Sequence, residues 1–315
     1  MLFPRKALCG LLGLALVLSA APARAADAGK YVPADAEMVL HVNIQQLLNS
    51  QLGKKFALPP IRQALRGNKE AQQLLTVLGL DPLKDITSLT ISNAGQTGDK
   101  VQMALRGKFN LDKIHATAQK VAEEKKDAFK ITKVGGKPLY EADQQGKTVY
   151  GAFAEDDTLV VSPSRDHVVD ALNGKTGKIN KGLQDAIGLV DGKQSLWAAI
   201  VVTEELKNLA AAQPQAGDVA KKLKAISAGI NVTDAVAVGV KIRTTDPKSA
   251  ADFGKVANEA KGALGLIGQT NEDLKPFIDE ILKTLQIKTQ RSDISVEFKL
   301  SEEIVEKAIK KIPGQ

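Results

Sequence analysis

The chain has 315 residues, 43 of them basic and 36 acidic, for a formal charge of +7, with three histidines and one cysteine. A single cysteine excludes intramolecular disulfides and cysteine-ligated metal centres, and so small a charge excess does not make the concentrated basic face that nucleic acid requires. The length suffices for one large or two medium domains held by an ordinary apolar core.

The N-terminus reads as a secretory signal peptide. Arg5 and Lys6 precede an apolar run from Ala7 to Ala21, and Ala23 and Ala25 place small residues where a signal peptidase reads them, so cleavage is expected between Ala25 and Ala26. Pro22 and Arg24 follow too soon for a membrane span of ~20 residues. Cys9 lies inside the run without the cleavage pattern of a lipoprotein. The mature chain is then free of cysteine and, without Arg5, Lys6 and Arg24, keeps 40 basic against 36 acidic residues. An extracytoplasmic protein, periplasmic or secreted, with no transmembrane segment after cleavage, is the expectation.

The remaining elements come twice in the same order. MVLHVNI (38–44) alternates, with Met38, Leu40, Val42 and Ile44 on one face and His41 on the other, and QQLLNSQLGKKF continues as a helix. SLTIS (88–92) and VQMALRGKF (101–109) follow as a strand pair, then a helix after Asn110. A meander of short strands from Lys137 ends in TLVVS, after which Ser164 caps the helix RDHVVDAL. In the second half SLWAAIVV (195–202) is the first strand and Thr203 an N-cap followed by Glu204 and Glu205. AISAGINV and AVAVGVKIR pair across Thr233 and Asp234, and Asp246 with Pro247 opens a helix as cap and first residue. ISVEFKLSEEIVEKAI closes the chain. Placing Ser301 on Ser164 superposes Leu159 on Val296, Val161 on Phe298 and Val168 on Val305. The fold class expected is α+β: a tandem duplication, over 26–180 and 181–315, of an antiparallel sheet module with helices packed mainly on one face.

Ser162, Ser164, Asp166 and His167 crowd together and invite a catalytic reading. The second copy argues against it, because Ser301 keeps the cap while Ile304 stands where His167 does. Asp166 and His167, adjacent on a helix, also point about 100° apart, too far for one to orient the other. Alanine at His167 is accordingly expected to leave stability nearly unchanged. His41 and His115 stand alone, the Glu155 to Asp157 cluster lacks the spacing of a calcium loop, and the glycines at 262, 265 and 268 match no phosphate-binding loop. No residue is assigned a catalytic, cofactor-binding or metal role. Trp197 is expected inside a strand, and the scarcity of aromatic residues argues against sugar or single-strand platforms.

The segments YVPADAEMVLHVNIQQLLNSQLGKK, DPLKDI, TLVVSPSRDHVVDALNG and KQSLWAA together resemble a group of uncharacterised exported proteins of planctomycete-type bacteria. The resemblance implies location and domain plan and transfers no activity. An exported, non-catalytic binding or structural protein of the cell envelope is expected, with an extracytoplasmic hydrolase working between the repeats as the alternative. Expected partners are an envelope protein, a peptide or an anionic polymer, and no nucleic acid; Lys221, Lys222, Lys224, Lys310 and Lys311 read first as solvated helix faces and second as contacts for such a polymer. A lipid- or peptide-binding groove near 262–285 would show as an exposed apolar patch.

Overall fold

The computed structural model describes residues 28–95, 100–144, 146–211 and 221–310, so the cleavage pair Ala25 and Ala26 lies outside the described residues. Twelve antiparallel strands form one open sheet with eleven α-helices around it, among the described residues.

The chain opens with β1 (Met38–Asn43) and turns at Asn43, whose side chain accepts from the Gln46 N–H, into α1 (Ile44–Asn49). Ile44, expected to end the strand, therefore begins the helix. A π-helical turn over Gly53–Ala57 leads to α2 (Leu58–Gly67), α3 (Lys69–Leu78) and the short α4 (Pro82–Asp85). β2 (Ile86–Asn93) and β3 (Val101–Gly107) come next, then α5 (Leu111–Glu124). The meander is β4 (Phe129–Val134), β5 (Lys137–Gln144), β6 (Lys147–Glu155) and β7 (Thr158–Ser162), closed by α6 (Arg165–Leu172). After α7 (Lys181–Ile187) the second half runs through β8 (Leu196–Val201), α8 (Glu204–Ala211), β9 (Leu223–Val232) and β10 (Ala235–Thr244). It ends with α9 (Pro247–Thr270), α10 (Lys275–Thr284), β11 (Gln286–Gln290), β12 (Asp293–Ser301) and α11 (Glu302–Lys310).

The strand order is β11-β12-β10-β9-β8-β1-β2-β3-β7-β6-β5-β4. The halves thus share a single sheet, joined where β1 pairs with β8 and His41 stands opposite Trp197. Helices flank both faces of this sheet, where one face was expected. On one face α6 and α7 fold back with residues 28–36 to make the core: Val168 and Ala171 meet Leu139, Ala152 and Val160, while Leu183, Ala186 and Ile187 meet Val39, Trp197 and Ala199. On the other face α5 sets His115 against Tyr140 and Phe153, and α9 lays Gly254 on Thr289 of β11. The glycine series at 262–268 belongs to the closing turns of α9, where Gly268 lets the helix settle on Ile278 of α10.

Candidate functional site

Strand alternation gives the sheet two chemically distinct faces. On the face sealed by the core, the small or polar side chains of Val39, Thr90, Ser92, Ala199, Ala225 and Ser227 are buried beside the larger Trp197, Leu139 and Val160. The opposite face is aliphatic. One cross-strand ladder on it runs from Phe298 through Val238, Ile230, Leu196, Val42, Leu89, Leu105 and Leu159 to Phe153, nine apolar residues on nine strands. The next ladder crosses all twelve strands, from Ile287 in β11 through Val240, Ala228, Ala198, Leu40, Ile91 and Met103 to Ile131 in β4. Every residue of the nine-strand ladder is only half-buried. Ala198 and Ala228 are paired neighbours, the small pair of this ladder near the middle of the sheet.

Helices on this side also leave apolar surface uncovered. α2 and α3 bury no residue, and Ile61, Leu74 and Val77 are exposed. Val256, Leu266 and Ile267 of α9 are exposed with Leu274, so the patch expected near 262–285 is present, Leu266 reaching 64 % exposure. Large apolar side chains left in solvent along these helices are the kind of surface on which another apolar molecule is met.

The small-residue face carries the polar cavities. One of about 330 Å³ sits at the join of the halves, lined by Tyr31, His41, Asn43, Thr90, Arg106, Gln194 and Trp197 among others. His41 Nδ1 lies 2.9 Å from Thr90 Oγ1, and its ring is 5.4 Å from the buried Trp197. Burial pushes the Tyr31 phenol up to about 12, reinforced by the Glu155 carboxylate. Glu155 in turn pairs with Lys30, whose ammonium holds that carboxyl below its usual value. A second groove of about 530 Å³ adjoins the first through Gln194, with Lys193, Lys241, Lys283 and Lys299 facing Asp191 and Glu297 in its lining.

The residues singled out in the sequence are dispersed. Ser164 Oγ accepts from the His167 N–H at 3.4 Å, Thr203 Oγ1 from Leu206 N–H at 3.3 Å, and Asp246 Oδ1 from Ser249 N–H at 2.8 Å. Ser301 is the last residue of β12, directly ahead of α11. Ser162 Oγ is spent on the Val101 carbonyl at 2.8 Å. His167 turns from the serines to Asp35, Nε2 to Oδ1 3.5 Å, with its side chain only 12 % exposed. Burial raises the Asp35 carboxyl, yet Lys100 and His167 outweigh it and leave the group below the ordinary range. His115 bonds the Tyr140 hydroxyl on the aliphatic side, across the sheet from His41. Among the described residues no three His, Cys, Asp or Glu side chains converge as a metal site, and no helix is long and apolar enough to cross a membrane.

No protein-family model, curated protein or solved structure matches the chain. The aliphatic face is the feature that reading by strands missed. Its signal was there, since Met38, Leu40, Leu196, Ile226, Val238 and Val296 all follow one parity, but parity does not say which side of a sheet stays open.

Proposed function

We propose that the protein is an exported, non-catalytic lipid-binding protein of the cell envelope, built from two copies of one module, which holds lipid chains on the aliphatic face of its sheet. The observation that carries this is the unbroken run of half-buried apolar side chains across nine adjacent strands, from Phe298 to Phe153. The nine side chains offer no hydrogen-bond donor or acceptor and seven of them are aliphatic, which suits flexible hydrocarbon better than a glycan or a polar peptide.

Two further features support the reading. Counted outward from the β1–β8 join, the strands are β1-β2-β3-β7-β6 on one side and β8-β9-β10-β12-β11 on the other, each third strand leading into a long helix and each fourth directly into a shorter one. That order supports duplication, in which polar residues at element ends serve the backbone. The alternative, a hydrolase at the join, would rely on His41 and Thr90, and the Thr90 side chain is sealed at 7 % exposure while Ser162 and Ser164 are engaged elsewhere.

The test is titration of the purified chain from Ala26 onward with a fluorescent long-chain fatty acid. Saturable binding that is lost in Leu40→Lys and Leu196→Lys is expected. Absence of binding by the folded protein would overturn the proposal.

A further inference from the structure

We propose that residues 53–78 form a docking element that seats on an anionic phospholipid surface. This extends the lipid-binding reading above to the place where lipid is met, and the two can fail separately.

The segment is two consecutive amphipathic helices with their apolar residues left out of the core. Neither α2 nor α3 has a buried residue, and Ile61 is 38 % exposed, Leu74 and Val77 55 % each. Its charge is one-sided: Lys54, Lys55, Arg62, Arg66 and Lys69 stand against the single acid Glu70. Lys55 is committed to Glu302 and Glu306 of α11, at 2.7 Å each. The other four cations are exposed and make no ion pair among the described residues. Helices α7, α8, α9, α10 and α11 behave differently, each setting a lysine against its own acid three or four residues away. Leaving cations unneutralised beside exposed aliphatic side chains is the pattern of a helix lying in a lipid interface.

The wheel geometry agrees. Counting from Leu58 at 100° per residue, Leu65 and Ile61 fall within about 60° on one side, while Arg62 and Arg66 fall at about 40° and 80° on the other. With the apolar stripe down, both arginines can snorkel to the phosphate level. The element is also held ready. Its base is tied to the second half by the Leu52 N–H on the Thr233 carbonyl at 3.1 Å and by Lys55, and its end is closed by Gly79 in the left-handed region at φ 66°. Gly53 makes the first of these turns possible, because a Cβ there would stand 1.9 Å from the Leu47 carbonyl oxygen.

The experiment is vesicle co-sedimentation of the purified chain from Ala26 onward, with phosphatidylcholine alone against phosphatidylcholine mixed with phosphatidylglycerol. Binding to the mixed vesicles only, weakened by high salt and not displaced by soluble glycerol phosphate, is expected. The double variant Arg62→Glu, Arg66→Glu should lose roughly tenfold or more in vesicle affinity. Its circular dichroism and its binding of the fluorescent fatty acid should stay unchanged. Should that variant fail to fold, Arg62→Gln with Lys69→Gln gives a smaller loss of the same sign. Equal binding to both vesicle types, displacement by the soluble headgroup, or wild-type affinity in a folded variant overturns the docking proposal. Failure of the fatty-acid probe alone would overturn the sheet-face reading and leave the docking element standing.

Discussion

The Gln194 side chain occupies the space that a β-carbon on Gly229 would need: an added Cβ at 229 would lie 1.5 Å from Gln194 Oε1. Gln194 lines both polar cavities, so this seat lies where the join cavity and the neighbouring groove meet. Gly229→Ala is expected to evict the amide and cost about 1 kcal/mol, at the low end for overpacking because a side-chain end can swing aside. In a Gln194→Ala background the same change should be neutral or stabilising by up to ~1 kcal/mol, since alanine loses less backbone entropy than glycine. Urea unfolding of the four proteins measures the coupling, and additive effects would refute the arrangement.

Alkaline pH should reveal Tyr31 and Tyr140. Burial raises both phenols to about 12 from an ordinary value near 10. The folded chain then holds protons that the unfolded chain gives up, so the stability is fully present below pH ~10 and falls as pH rises toward ~12. Phenolate absorbance across this range is the measurement. Tyr31→Phe and Tyr140→Phe should each remove one late-titrating group.

At the start of α6 the cap and the histidine differ in weight. Ser164→Ala is expected to cost ~0.5–1 kcal/mol, modest because the bond to the His167 N–H is long at 3.4 Å. His167→Ala should cost more, about 1–2 kcal/mol, because the ring is largely enclosed beside Asp35. Reading the sequence alone led to the opposite ranking. Thermal melts of the two variants decide it, and a neutral His167→Ala would return the ring to the surface.

The small pair Ala198 and Ala228 offers a way to block the sheet face without unfolding it. Ala198→Phe adds apolar volume at a position that is only half-buried, so unfolding free energy should change by less than about 1 kcal/mol while affinity for the fatty-acid probe drops. A variant that binds the probe as tightly as the parent would place the site elsewhere.

Strands, caps and the order of elements were legible because they depend on neighbours in sequence. Met38, Leu40 and Val42 alternate visibly, and Ser164, Asp246 and Asn110 sit where a first helical turn needs an acceptor. The use of each face was not legible. The core formed on the side of Val39 because residues 28–36, α6 and α7 return to that side, and their return depends on long-range partners such as Val168 with Leu139. The partner of His167 was hidden for the same reason, since Asp35 is remote in the chain. The single continuous sheet likewise rests on the β1–β8 pairing, which no local pattern announces.

Neither β1 (MVLHVN) nor β8 (LWAAIV) contains a Lys, Arg, Asp or Glu, whereas the outermost strands carry Lys130 and Lys133 in β4 and Lys288 in β11. Lysines on a terminal strand discourage recruitment of further chains, and the two unguarded borders shelter each other. Severing the polypeptide ahead of α7 would bare one such border on each fragment. Either fragment alone should self-associate, and the two produced together should reconstitute a soluble whole, which makes this molecule a natural candidate for split-protein complementation.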